Sequence, residues 1–189
     1  MVMKKENLLK FLPNEYIKSI SDINYDNLKN QGYDTIFFDL DNTIADYETH
    51  HPTEEMINLM ENIKTMGFKI YIITNNTKKR IDKFQKAFNI DCFKSLRKPF
   101  TRRLRNKIIE NNIDTTKVIW IGDQVVTDVK CAHKFNIYCV LIDPLKPSTE
   151  KWYTKINRFF ERRYMKKIKR EYQKEYDQLG LDKRYASNW

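Results

Sequence analysis

Residues 34–142 alternate between two hydrophobic periods, and few folds accept that alternation. Strand-like apolar runs fall at 35–39, 69–74, 91–94, 118–121 and 137–142, and helix-period runs fall between them at 53–66, 78–88, 101–111 and 125–135. Runs such as Tyr71-Ile72-Ile73 and Val118-Ile119-Trp120-Ile121 show no polar alternation, so the strands they predict are buried on both faces, as in a parallel sheet. Pro52-Thr53 ahead of Glu54-Glu55 marks a helix start, with acids against the positive end of the dipole. The order of elements predicts an α/β fold: a doubly wound, Rossmann-like parallel sheet of about five strands, with its ligand site at the carboxyl ends of the strands.

Polar residues gather at those ends. The first strand closes on Asp39-Leu40-Asp41-Asn42-Thr43. Residues i and i+2 of a strand share a side, so Asp39 and Asp41 converge on one point. Two like charges buried together need a cation or a shared proton. The second strand ends at Thr74-Asn75-Asn76, Lys98-Pro99 follows the third, and the fourth ends at Gly122-Asp123, with Asp128 one helical turn on. A parallel sheet brings such ends to one edge.

These motifs resemble the haloacid dehalogenase superfamily of phosphatases: Asp39-Leu40-Asp41-Asn42-Thr43, then Thr74, then Lys98, then Gly122-Asp123-Gln124-Val125-Val126-Thr127-Asp128. Phe11-Leu12-Pro13, Asn75-Asn76 and Arg97-Lys98-Pro99 are similar to the YqeG-type branch, subfamily IIIA. That branch is in turn similar to the phosphatidylglycerophosphate phosphatases of mitochondria and plastids. Asn42 stands where Gly is common in the superfamily, a substitution that YqeG-like sequences share.

The resemblance implies a Mg²⁺-dependent phosphomonoester hydrolase with an aspartyl-phosphate intermediate. Asp39 is then the nucleophile that divides hydrolysis into two easier steps. Asp41 is the acid that protonates the leaving oxygen and the base that then activates water. Thr74 and the backbone amides that follow it, at Asn75, are expected to bind the transferring phosphoryl, and Lys98 to offset charge on it and on Asp39. The metal set is expected to be the carboxylates of Asp39 and Asp123, the backbone carbonyl of Asp41, and Asp128 as an outer partner. An acid at Asp41 implies a phosphatase or mutase, because the ATPase and phosphonatase branches carry Thr or Ala there. His50 and His51 read as loop residues. Cys131-Ala132-His133 lacks a second pair to complete a zinc site.

In this superfamily an inserted cap closes over small substrates. Here the chain from Asp41 to Thr74 has room for a loop, one helix and a strand, and that from Thr74 to Lys98 for a helix and a strand. No inserted cap domain is expected, so the site should admit a phosphate on something large. Three segments follow: a helical flank at 1–33, the hydrolase-like core at 34–148, and a basic aromatic helix and tail at 149–189.

Between Lys151 and Tyr176 there are ten Lys and Arg against three Glu, within a chain of net charge +10. Projected as a helix, Trp152, Tyr153, Ile156, Phe159, Phe160 and Tyr164 occupy one arc, with Lys155, Arg158, Arg162 and Lys166 behind it. Such a helix suits an anionic membrane surface, and equally a helix packed on the domain with its basic face solvated. Nucleic acid is the less favoured anionic partner. The leading substrate is phosphatidylglycerophosphate, its second phosphate placed at Arg97, or at Lys78, Lys79 and Arg80. Nucleic-acid ends acted on by the same chemistry, or an RNA- or ribosome-associated protein with a vestigial site, are the alternatives. With four glycines and neither G-x-G-x-x-G nor a P-loop, no nucleotide-cradling loop is expected. No apolar run approaches the ~20 residues that span a bilayer, nor does the N-terminus carry a signal-like run. Three cysteines read as reduced, buried thiols. The expected setting is cytoplasmic, peripheral to the inner membrane face.

Overall fold

The computed structural model describes residues 5–77 and 79–186. Six parallel strands form one sheet in the order β1-β6-β5-β2-β3-β4: β1 (Glu15–Ile17), β2 (Thr35–Phe38), β3 (Lys69–Ile73), β4 (Asp91–Phe93), β5 (Val118–Gly122) and β6 (Tyr138–Ile142). Five match the sequence pattern to within a residue or two. The sixth does not. Residues 1–33 read as helix-like, yet Glu15–Ile17 pairs in parallel with Val140–Ile142 and extends the sheet. Three residues are too few to show an alternation, and Pro13 just ahead hides the strand.

Successive side chains of each strand go to opposite faces, so each face has its own core. Ile36, Phe38, Ile70, Ile72, Ile119 and Ile121 pack against α1 (Tyr25–Asn30), α2 (Glu54–Thr65) and α3 (Lys79–Phe88). Phe37, Tyr71, Ile73, Trp120, Cys139 and Leu141 face α4 (Arg102–Glu110) and α5 (Lys130–His133). That second face also takes the C-terminal helices α6 (Trp152–Glu171), α7 (Gln173–Gln178) and α8 (Leu181–Ala186), through Met165, Ile168, Tyr176 and Leu181. Cys131 and Cys139 are buried, Cys92 half-buried, and all three are free.

Two helices differ from the expected pattern. The segment 125–135 is not one α-helix: a π-helical turn, Val125–Val129, precedes α5. The turn widens because the Asp128 carboxylate folds back to accept from the Gln124 amide at 3.1 Å, while the Gln124 carbonyl accepts from both Asp128 and Val129. The C-terminal segment breaks at Tyr172, and α6 packs with the face opposite to its aromatic arc. Its buried residues are Thr154, Arg158, Glu161, Met165 and Ile168. Trp152 and Phe159 remain 73% and 62% exposed, with Tyr153, Ile156 and Phe160 also open. Only Tyr164 of the arc turns inward, stacking on Phe11 at 4.3 Å. Arg158, placed among solvated charges by the helical projection, is buried.

Candidate active site

The strand order reverses at β2. Its successors β3 and β4 lie to one side, β5 and β6 to the other, and the diverging connections open a crevice at the strand ends. Asp39 follows β2, Thr74 follows β3 and Asp123 follows β5. Asp39, Asp41, Thr74, Asn75 and Lys98 line a cleft of about 400 Å³. The expected residues therefore do meet, although separated by most of the α/β unit in sequence.

Lys98 holds the centre. Its ammonium donates to Asp39 Oδ1 at 2.8 Å, Asp128 Oδ1 at 2.7 Å and the Ile73 carbonyl at 3.0 Å, which uses all three of its protons. The loop that delivers it turns twice through left-handed backbone, at Ser95 (φ 56°) and Arg97 (φ 57°). Asn75 fixes the end of that loop. Its side-chain oxygen accepts from the Lys98 amide, and its NH₂ donates to the Lys98 carbonyl at 3.0 Å. The Asn75 side chain thus positions the lysine, which leaves the backbone amides after Thr74 as the groups expected on the phosphoryl. Thr74 Oγ1 accepts from the Asn76 amide at 3.0 Å and so shapes the turn behind β3.

Asp128 can lie against β5 because residue 122 is glycine. A Cβ there would stand 2.5 Å from the Asp128 carboxyl carbon. Asp39, Asp123 and Asp128 then place one carboxylate oxygen each within 4.8 Å of one another. The Asp41 carboxylate is not in this group. Arg80 Nη1 and Asn76 Nδ2 hold it to one side, so the sequence expectation for Asp41 as a metal ligand is confined to its backbone carbonyl. Arg80 also donates to the carbonyls of Thr49 and Asp46, and it does not line the cleft. Lys79 and Arg97 are exposed and do not line the cleft, and Lys78 lies outside the described residues.

The sequence reading missed the other side of the site. Arg158, from α6, donates to the Asp123 carboxylate and, at 2.7 Å, to the Asp123 carbonyl; it also pairs with Glu150 at 2.7 Å and Glu161 at 3.2 Å. Arg184, from α8, donates to the same Asp123 carbonyl at 2.6 Å. Glu161 accepts from the Val125 amide, and Asn157 donates to the Gln124 side chain. The loop 122–129 is thus gripped by the C-terminal helices. A signal existed: positions 154, 158, 161, 165 and 168 repeat at four and three residues, the spacing of a packed stripe. Its first three members are polar, so the aromatic arc outweighed it.

Charge accounting favours a divalent cation. The buried charged residues, among those described, are the carboxylates of Asp39, Asp41, Asp123, Asp128, Glu150 and Glu161 and the cations Arg80, Lys98, Arg158 and Arg184. All ten belong to this site, with two negative charges in excess. Burial pushes Asp39 well above the usual carboxylate range against the pull of Lys98, and pushes Asp123 up to about 6 against Arg158. Burial also works against the Lys98 ammonium, but Asp128 and Asp39 outweigh it and its pKa is raised. A hard dication among three converging carboxylates relieves this excess, and an all-oxygen donor set suits Mg²⁺.

The chain is similar to several known proteins. The family model of haloacid dehalogenase-like hydrolases matches residues 3–142. A relative described as "Probable phosphatase YqeG", from Bacillus subtilis (strain 168), is 30% identical over 161 residues, covering 85% of this chain and 93% of that protein. Among solved structures, an uncharacterized protein from Listeria monocytogenes serotype 4b is 16% identical, with a TM-score of 0.49 over 67% of this chain and 99% of that one. A 3-deoxy-D-manno-octulosonate 8-phosphate phosphatase from Moraxella catarrhalis, solved with magnesium, phosphate and a KDO molecule, is 19% identical, with a TM-score of 0.42 over 53% of this chain and 62% of that one. Both overlays are partial.

Proposed function

Because the chain belongs to the haloacid dehalogenase-like hydrolases and is a phosphatase, we propose that it removes a phosphate monoester from a lipid headgroup, phosphatidylglycerophosphate first, at an anionic membrane surface. The observation that carries this reading is the outer face of α6. Tyr153 lines the cleft, while Trp152, Ile156, Phe159 and Phe160 continue from it as exposed apolar surface, flanked by Lys155, Arg162, Arg163 and Lys166. Apolar side chains bordered by cations match the acyl and headgroup layers of an anionic bilayer. Among the described residues no helix is long and apolar enough to cross a membrane, so contact is at the surface.

Asp39 attacks phosphorus and becomes the aspartyl-phosphate, and the alcohol oxygen leaves with a proton from Asp41. Arg80 and Asn76 hold Asp41 away from the three-acid group, which keeps the proton shuttle apart from the nucleophile. Asp41 then takes a proton from the water that hydrolyses the acyl phosphate. Lys98 balances charge on Asp39 throughout and ties it to Asp128, donating to one oxygen of each. Thr74 and the turn behind it border the phosphoryl position. Asp39, Asp123 and Asp128 would hold Mg²⁺, which when bound supplies charge neutralisation to the phosphoryl oxygens.

The test is phosphate release from phosphatidylglycerophosphate in anionic vesicles. Wild-type protein turns it over and EDTA stops the reaction; Asp39→Asn loses at least about a thousandfold in kcat. Faster release from a 5′-phosphorylated oligonucleotide than from the lipid would favour the nucleic-acid alternative and overturn the lipid assignment.

A further inference from the structure

The cations that touch the carboxylates are all engaged by them, as the buried pairs of Lys98, Arg80 and Arg158 show. One more cation stands beside the cleft, against two rings that line it. Lys151, the residue before α6, is half-buried, and its Nζ sits 5.1 Å from the ring centroid of Tyr47 and 5.7 Å from that of Tyr153. Both rings line the cleft. Its neighbour Glu150 is taken by Arg158, and among the described residues no carboxylate is paired with Lys151. Ring faces hold an ammonium in place without using up its protons, so the N–H groups stay free to donate. Tyr47 is anchored in turn: its hydroxyl shares a hydrogen bond of 3.2 Å with Thr154, and burial raises its pKa, so the hydroxyl stays neutral.

We propose that Lys151 is a specificity-determining residue which binds a second anionic phosphate carried on the leaving alcohol. The inference rests on the phosphatase reading and deepens it. With the reacting phosphoryl at Asp39, the leaving group lies in the rest of the cleft, which Tyr47, Thr154 and Asn157 also line. These side chains are neutral and hydrogen-bonding, which suits a hydroxylated linker. Beside them, against the Tyr47 and Tyr153 rings, Lys151 supplies a positive charge that no carboxylate among the described residues takes up. The second phosphate is thereby assigned to the start of α6, away from Lys79, Arg80 and Arg97.

Two water-soluble substrates keep membrane contact out of the assay: p-nitrophenyl phosphate, and glycerophosphoglycerol phosphate, whose alcohol carries a phosphodiester. In Lys151→Gln the ratio of kcat/KM for the second over the first falls about tenfold, the change lying in KM for the diester-bearing ester. Lys151→Arg recovers most of it, and added salt lowers the wild-type ratio toward that of Lys151→Gln. An unchanged ratio, whether both activities fall together or neither does, overturns the assignment. Wild-type protein that cleaves p-nitrophenyl phosphate but not the diester-bearing ester overturns it while the phosphatase reading stands. Cleavage of neither ester overturns both.

Discussion

Lys98 and Arg158 are buried cations that divide the acids of the cleft between them, from opposite regions of the molecule. Lys98 comes from the loop after β4, inside the α/β unit, and its compact ammonium sits between Asp39 and Asp128. Arg158 comes from an appended helix, and its planar fork spans Asp123, Glu150 and Glu161. One cation balances Asp39; the other holds the loop that carries Asp123. The C-terminal helices are therefore a wall of the site as much as a surface beside it, and the comparison can be broken at three scales.

The largest effect belongs to the whole segment. A chain ending at residue 148 loses Met165, Ile168, Tyr176 and Leu181 from the core, at about 2 kcal/mol apiece. It also leaves the Asp123 carboxylate without Arg158. Net stability of a domain is about 5–15 kcal/mol, so the truncated chain should not fold. Native-like circular dichroism with a cooperative thermal transition would show that α6 to α8 are an accessory after all.

The second scale compares the two cations directly. Removing one partner of a buried ion pair costs about 3–5 kcal/mol, because the remaining charge has no water to return to. Lys98→Met and Arg158→Met should each lower the unfolding free energy in urea by about that much. Millimolar Mg²⁺ should restore part of the loss in both, since a bound dication supplies the missing positive charge. A cost under about 1 kcal/mol for Arg158→Met alone would make Lys98 the sole organiser of the acids.

That asymmetry also explains what the sequence disclosed. Lys98 was legible because each strand end carries its polar residue at the place where a parallel sheet must bring them together. Asp39, Thr74 and Asp123 follow from the same topology. Arg158 belongs to no strand end, and its partner Asp123 is 35 residues away, so only the packed stripe at 154, 158, 161, 165 and 168 pointed to it. The Asn75 side chain was illegible for a different reason: an amide can bind many partners, and residue type does not show that this one holds the Lys98 backbone. β1 was hidden by its length, and the π turn by the inward fold of Asp128, a tertiary contact no local pattern carries.

The smallest effect on stability separates the two faces of α6. Trp152 and Phe159 are exposed, so Trp152→Ala with Phe159→Ala should leave the unfolding free energy within about 0.5 kcal/mol of wild type. Ile168→Ala, on the packed face, should cost about 2–5 kcal/mol. On anionic vesicles the order reverses: the double variant loses binding while Ile168→Ala, below its melting temperature, retains it. Removing two aromatic side chains from a bilayer interface weakens partitioning by tenfold or more, at roughly 1.4 kcal/mol per factor of ten. Equal vesicle binding by the double variant and wild type would mean that the aromatic face meets something other than lipid. The cleft beside it would then have to find its substrate without a surface to dock on.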